Sequence, residues 1–197
     1  MGTGTRRVMV AGLCGWLASA ASLLAAGAPS VRLQDVDNRT VDPFQVAANV
    51  KANVFLFTST DCPISNRYAP VVKRLNETFA PKGVQFWLVY PNPFDTPSAI
   101  QAHLKAYAYE NRALLDPNHA LAKVAKASVT PEAAVFDRDG REVYHGRIDD
   151  RYVSLTVERP AATRHDLEDV LTAVVAGKPV AEAATQAVGC FIADFVK

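Results

Sequence analysis

Cys62 is the residue of this chain whose type and setting best suit covalent chemistry. It follows the apolar run Asn53-Val-Phe-Leu-Phe-Thr58 and precedes apolar residues Ile64, Tyr68, Val71, Val72, Leu75 and Phe79 at helical spacing. That order puts the thiol at a helix start, where free N–H groups and the positive end of the dipole favour thiolate. A free cysteine is also a common small core residue, so burial without a role is the competing reading. Asp61 precedes it, and a nearby carboxylate would raise the thiol pKa and offset part of the helix effect. Cys190 lies far along the chain in Ala187-Val-Gly-Cys-Phe-Ile192. It is open to three roles: resolving an intermediate on Cys62, locking the tail, or standing as an inert thiol. The distance between the cysteines decides, since a disulfide needs Cα atoms within about 7 Å.

The elements that must position these thiols alternate between strand and helix. Residues 31–41 alternate around Asp37-Asn38 and predict an edge hairpin; 53–58 and 84–90 are apolar enough for strands covered on both faces. Helices are expected over 63–79, about 98–108, 119–127 and from 163 onward, with a short strand at 113–115. Residues 132–137 and 142–145 predict a hairpin across Asp137-Arg-Asp-Gly140. Thr163 and Asp166 have capping-box spacing, Leu167, Val170, Leu171 and Val174 form the stripe, and Gly177 suits the C-terminal cap. The expected class is α/β, a central sheet flanked by helices.

Composition agrees with one globular domain: 197 residues, 49% of them hydrophobic, with interspersed charge summing to +1. No basic stripe suits a nucleic-acid partner. Arg6-Arg7 before an uncharged apolar run to about Ala28 reads as an export signal over 1–28, cut near residue 27 among small residues. An uncleaved anchor is the alternative, and the membrane is a partner only in that case. Cleavage would remove Cys14, Arg6 and Arg7, taking the net charge from +1 to −1 and leaving two cysteines in an oxidising compartment, periplasmic or secreted. The expected division is a signal over 1–28, a domain over 29–178 and a tail over 179–197 that carries Cys190.

The segment Phe55-Leu-Phe-Thr-Ser-Thr-Asp-Cys62-Pro-Ile-Ser65-Asn-Arg-Tyr-Ala69-Pro70 resembles the thioredoxin signature, a strand followed by C-x-x-C and then Ala-Pro within the helix. Cys62 falls on the nucleophilic cysteine and Ser65 on the second one. Thr130-Pro131 resembles the cis-proline that faces the nucleophile and holds an extended partner backbone. Over residues 50–150, including Tyr144-His-Gly-Arg-Ile-Asp-Asp150, the pattern is similar to the redoxin or AhpC/TSA branch, which includes peroxiredoxin-like proteins. The resemblance implies a thioredoxin-like mixed sheet and attack by Cys62 on a protein or small-molecule disulfide. Pro63, Thr130 and Pro131 would contact substrate, and Cys190 as resolving thiol, or an external thiol reductant, would complete turnover.

Two departures bear on mechanism. Ser65 rules out the one-turn disulfide of thioredoxins, and Leu56 stands where they keep a buried carboxylate. The peroxiredoxin pattern P-x-x-x-T-x-x-C meets Phe55 at the Pro position and Ser59 at the Thr position, with Thr130-Pro131 in place of the peroxide-orienting Arg. Ser59 can still donate a hydrogen bond, but peroxide reduction ranks below thiol–disulfide exchange; a non-catalytic module holding a client near Cys62 is the rival class. No cofactor or metal is expected. Copper-delivery proteins of this fold resemble C-x-x-x-C plus a distant His, whereas Asn66 stands at the second position, leaving Cys62 with His145 at most. His103, His119 and His165 read as surface residues, and Arg147, Asp149 and Asp150 as a local ion-pair network.

Overall fold

The computed structural model describes residues 1–2 and 29–192; the expected export signal, with Cys14, lies outside them. Two long apolar runs form the centre, β3 (Ala52–Phe57) and β4 (Val84–Tyr90), which pair in parallel, Phe55 opposite Trp87. β5 (Arg112–Leu115) extends the parallel part beyond β4. β7 (Glu132–Asp137) runs antiparallel on the other side of β3, and β8 (Glu142–Gly146) follows it as a hairpin. The expected edge hairpin is present as β1 (Leu33–Asp35) and β2 (Thr40–Val41), so the mixed sheet has the order β2-β1-β5-β4-β3-β7-β8.

Strand periodicity divides the core in two. Val54, Leu56, Phe86, Leu88 and Tyr90 face one side, where they meet the helices α2 (Ala69–Phe79), α3 (Pro97–Ala106) and α5 (Asp166–Val175). Phe55, Phe57, Trp87 and Val89 face the other, under α4 (Ala120–Val124) and Phe44. Both faces being covered explains why these strands read as continuous apolar runs. Among the described residues, no helix is long and apolar enough to cross a membrane.

Several expectations change. The helix expected over 63–79 is two helices, α1 (Pro63–Arg67) and α2, parted at Tyr68. Pro70 has no N–H for the Asn66 carbonyl and its ring crowds it, so the first helix closes with the Tyr68 N–H on Ser65 O at 3.0 Å. The helix expected over 119–127 is confined to α4, because His119 and Lys126 adopt left-handed backbone at φ 56° and 53°. Thr163 is not part of a capping box: its hydroxyl donates to Asp150 at 2.6 Å, and His165 stands at the N-cap of α5. Arg147, Asp149 and Asp150 do not pair with one another. Arg147 binds Asp166, Asp149 accepts from the Tyr68 hydroxyl at 2.6 Å, and Asp150 accepts from the N–H groups of Thr163 and Arg164. His103 and His119 are buried rather than on the surface.

The tail returns to the body. Ala183 and Thr185 exchange backbone hydrogen bonds with His145, and the Tyr144 hydroxyl meets Thr185 Oγ1 at 2.6 Å. β9 (Tyr152–Ser154) and β10 (Val157–Glu158) pair with each other apart from the main sheet, and β11 (Cys190–Phe191) pairs antiparallel with the short β6 (Val129–Thr130), also outside it.

Candidate active site around Cys62

The loop 58–61 leaves the carboxyl end of β3, held to the sheet by the Thr58 N–H on Val89 O at 2.9 Å. Cys62 takes the N-cap position of α1 with extended backbone, and Pro63 follows where a missing N–H costs nothing. The Cys62 side chain is 1% exposed. Facing it is the cis Thr130-Pro131 bond, as the resemblance implied, with Thr130 and Pro131 both buried. Glu132 shapes that corner by accepting from the Ser128 and Val129 N–H groups at 2.7 and 3.2 Å.

β11 brings Cys190 to the same place. The two thiols are free, and their Sγ atoms lie 2.6 Å apart, in contact and a short movement from the 2.03–2.05 Å of a disulfide bond. Cys62 Sγ also lies 3.1 Å from the Thr130 carbonyl. Burial pushes the Cys62 thiol up. Hydrogen bonding from the Cys190 thiol, the Ser65 hydroxyl and N–H, and the Thr130 side chain outweighs it, leaving Cys62 below the usual thiol value. The Ser65 hydroxyl is buried with no partner in regular hydrogen-bond geometry. Cys190 moves the opposite way. Burial, donation to Cys62, the Cys62 charge and the Asp61 carboxylate push it up to about 12. Asp61 thus weighs on Cys190 rather than chiefly on Cys62, the thiol the sequence pointed to.

Ser59, Asp61, Cys62, Thr130 and Cys190 share one cavity of about 320 Å³, closed by Pro91, Asn92, Phe94, Phe191 and Ile192. Among the described residues, its lining contains no Lys, Arg or His. Ser65 does not line this cavity, and Pro63 lines a neighbouring hollow with Arg67 and Tyr152 instead. The Ser59 hydroxyl is engaged with the Asp61 and Asp95 carboxylates at 2.6 and 3.2 Å. His145 is on β8, bound to Glu142 at 2.8 Å, and not beside Cys62.

Two supports were not foreseen from sequence. Asp95, in the loop after β4, holds the Thr60 hydroxyl and N–H. Asn66 Nδ2 donates to Thr60 O at 3.3 Å; its Oδ1 must then accept from His103 Nε2 at 2.8 Å, so Nδ1 accepts from the Tyr90 hydroxyl at 2.9 Å. This relay runs from β4 through α3 to the carbonyl two residues before Cys62. The signal that could have found it is the polar end of Tyr90 within an otherwise apolar strand, which requires a buried partner.

The Redoxin family model matches residues 25–162. A conserved protein of Geobacillus kaustophilus is similar at 30% identity and a TM-score of 0.73, over 84% of this chain and 89% of that one. A hypothetical protein of Sinorhizobium meliloti is similar at 27% identity and a TM-score of 0.71, over 84% and 91%. A secreted Mycobacterium tuberculosis disulfide oxidoreductase homologous to E. coli DsbE shares the fold at 19% identity and a TM-score of 0.51, over 75% and 96%. No curated protein matches the chain. Sheet order, cis-proline corner, the 25–162 match and the Geobacillus relative together lead to one conclusion: the chain belongs to the redoxin family, with a thioredoxin-like fold.

Proposed function

We propose that the protein is an exported two-cysteine thiol–disulfide oxidoreductase in which Cys62 attacks and Cys190 resolves. The observation that carries this reading is the contact between two free thiols of opposite pKa shift beside Thr130-Pro131. The Cys62 thiolate attacks a disulfide RS–SR′, forming Cys62–S–SR and releasing R′S⁻. The Cys62 charge is then consumed, which removes one of the causes that hold the Cys190 proton. Cys190 loses that proton to solvent and attacks the Cys62 sulfur, releasing RS⁻ and forming the Cys62–Cys190 disulfide; an external dithiol reduces it and is itself oxidised. The Cys190 thiol and the Ser65 N–H stabilise the starting thiolate, and the Pro131 corner positions the substrate. Support for export is the basic and apolar N-terminal sequence, together with secretion of the M. tuberculosis protein of the same fold.

The test is single turnover with a fluorescent model disulfide. Cys190→Ser is expected to accumulate the adduct on Cys62, whereas the wild-type chain releases the fluorophore and Cys62→Ser forms no adduct. Equal adduct lifetimes in wild type and Cys190→Ser would remove Cys190 from the reaction.

A further inference from the structure

The tail does more than deliver a thiol, because it fills a strand edge. β6 has one partner among the described residues, β11, in the register Cys190 opposite Thr130 and Phe191 opposite Val129, and the Ile192 N–H adds a bond to Ser128 O at 2.9 Å. Gly189 lies flat against the corner: a Cβ there would collide with the Thr130 carbonyl oxygen. With the tail in place, Cys62 is reached through a cavity of about 320 Å³, walled in part by Phe191 and Ile192. That volume admits a small thiol or disulfide, whereas an extended polypeptide cannot pair with β6 while β11 holds its edge.

We propose that residues 189–192, seated on the β6 edge at the cis-proline corner, are a tethered blocker of the place where an extended cysteine-bearing partner would pair, and that this place admits only partners with no side chain just before their cysteine. The inference rests on Cys62 being the attacking thiol and adds which disulfides reach it. Small disulfides enter past the seated tail. Peptide disulfides wait for the tail to leave, then take over its backbone hydrogen bonds by strand addition. The Thr130 carbonyl selects against a Cβ at the position Gly189 occupies.

Three full-length proteins test this: wild type, Gly189→Val, whose side chain meets Thr130, and Ile192→Pro, which deletes the donor to Ser128. Each is given hydroxyethyl disulfide, and acetyl-Ala-Val-Gly-Cys-Phe-Ile-amide linked by a disulfide to a chromogenic thiol, or the same peptide with Val for Gly. The ratio of peptide rate to small-disulfide rate is expected to rise about tenfold in both variants, as for loss of about one net hydrogen bond from the seated tail. The Val peptide stays slow in all three. A labelled peptide with Ser for Cys, which cannot react, should bind the two variants and not the wild type. An unchanged ratio, equal rates for the Gly and Val peptides in the two variants, or no binding of the Ser peptide to either variant would overturn the proposal. Silence of Cys62 toward hydroxyethyl disulfide, with the Ser peptide still binding the variants, would instead overturn the thiol–disulfide reading and leave the docking surface standing.

Discussion

Replacing His103 with Leu removes the middle of the relay that ends on Thr60. The imidazole loses its bonds at 2.9 Å to the Tyr90 hydroxyl and at 2.8 Å to Asn66 Oδ1. Tyr90 is 1% exposed, so its stranded hydroxyl costs about 1–3 kcal/mol, while Asn66 is half-buried and can turn to water for a fraction of that. Leu gives some back through apolar contact, leaving a net loss of about 2 kcal/mol. With a urea slope of about 2 kcal/mol/M, the unfolding midpoint should drop by about 1 M. Burial lowers the His103 pKa from 6.5, so the folded state holds the ring neutral while the unfolded state binds a proton below about pH 6.5. Wild-type stability should therefore be fully present above that pH and fall as pH drops, by up to about 1.4 kcal/mol per unit until the folded pKa is reached. The Leu variant should lose that part of the slope. In the Leu background Tyr90→Phe should recover stability, whereas in wild type it should cost it, the coupling expected of a direct bond. A midpoint shift under about 0.2 M, or the same Tyr90→Phe effect in both backgrounds, would refute the relay.

Ser65→Cys in a Cys190→Ala background should build a new route of resolution: Ser65 is buried one helical turn after Cys62, so the adduct should decay at least about tenfold faster than in Cys190→Ala alone, read by fluorophore release. Peroxide should oxidise Cys62 slowly, because the described residues of the cavity lining include no cation to orient it and the Ser59 hydroxyl is taken by Asp61 and Asp95; near-diffusional oxidation in stopped flow would contradict this.

Residues 53–58 and 84–90 were readable as central strands because burial on both faces leaves only apolar side chains, and the structure puts them at Ala52–Phe57 and Val84–Tyr90. The start of α1 at Cys62 was equally legible, since Pro63 and the apolar spacing act locally. What the sequence hid depends on distant partners. His103 looked like a surface residue because periodicity says nothing of a Tyr90 hydroxyl on the neighbouring strand. Thr163 looked like a cap because its partner, Asp150, lies thirteen residues back on another segment. The two residues of β11 carry no strand pattern, and only their pairing with β6 makes them one. Cys190 and Cys62 are 128 residues apart, so their contact is a property of the fold alone.

The most direct test of the account is differential thiol trapping of the intact protein after one equivalent of a model disulfide, with peptides identified by mass spectrometry. The account predicts a Cys62–Cys190 disulfide as the main product, preceded by a transient adduct on Cys62 and none on Cys190. A lasting adduct on Cys62 with Cys190 still free, or first reaction at Cys190, would contradict it.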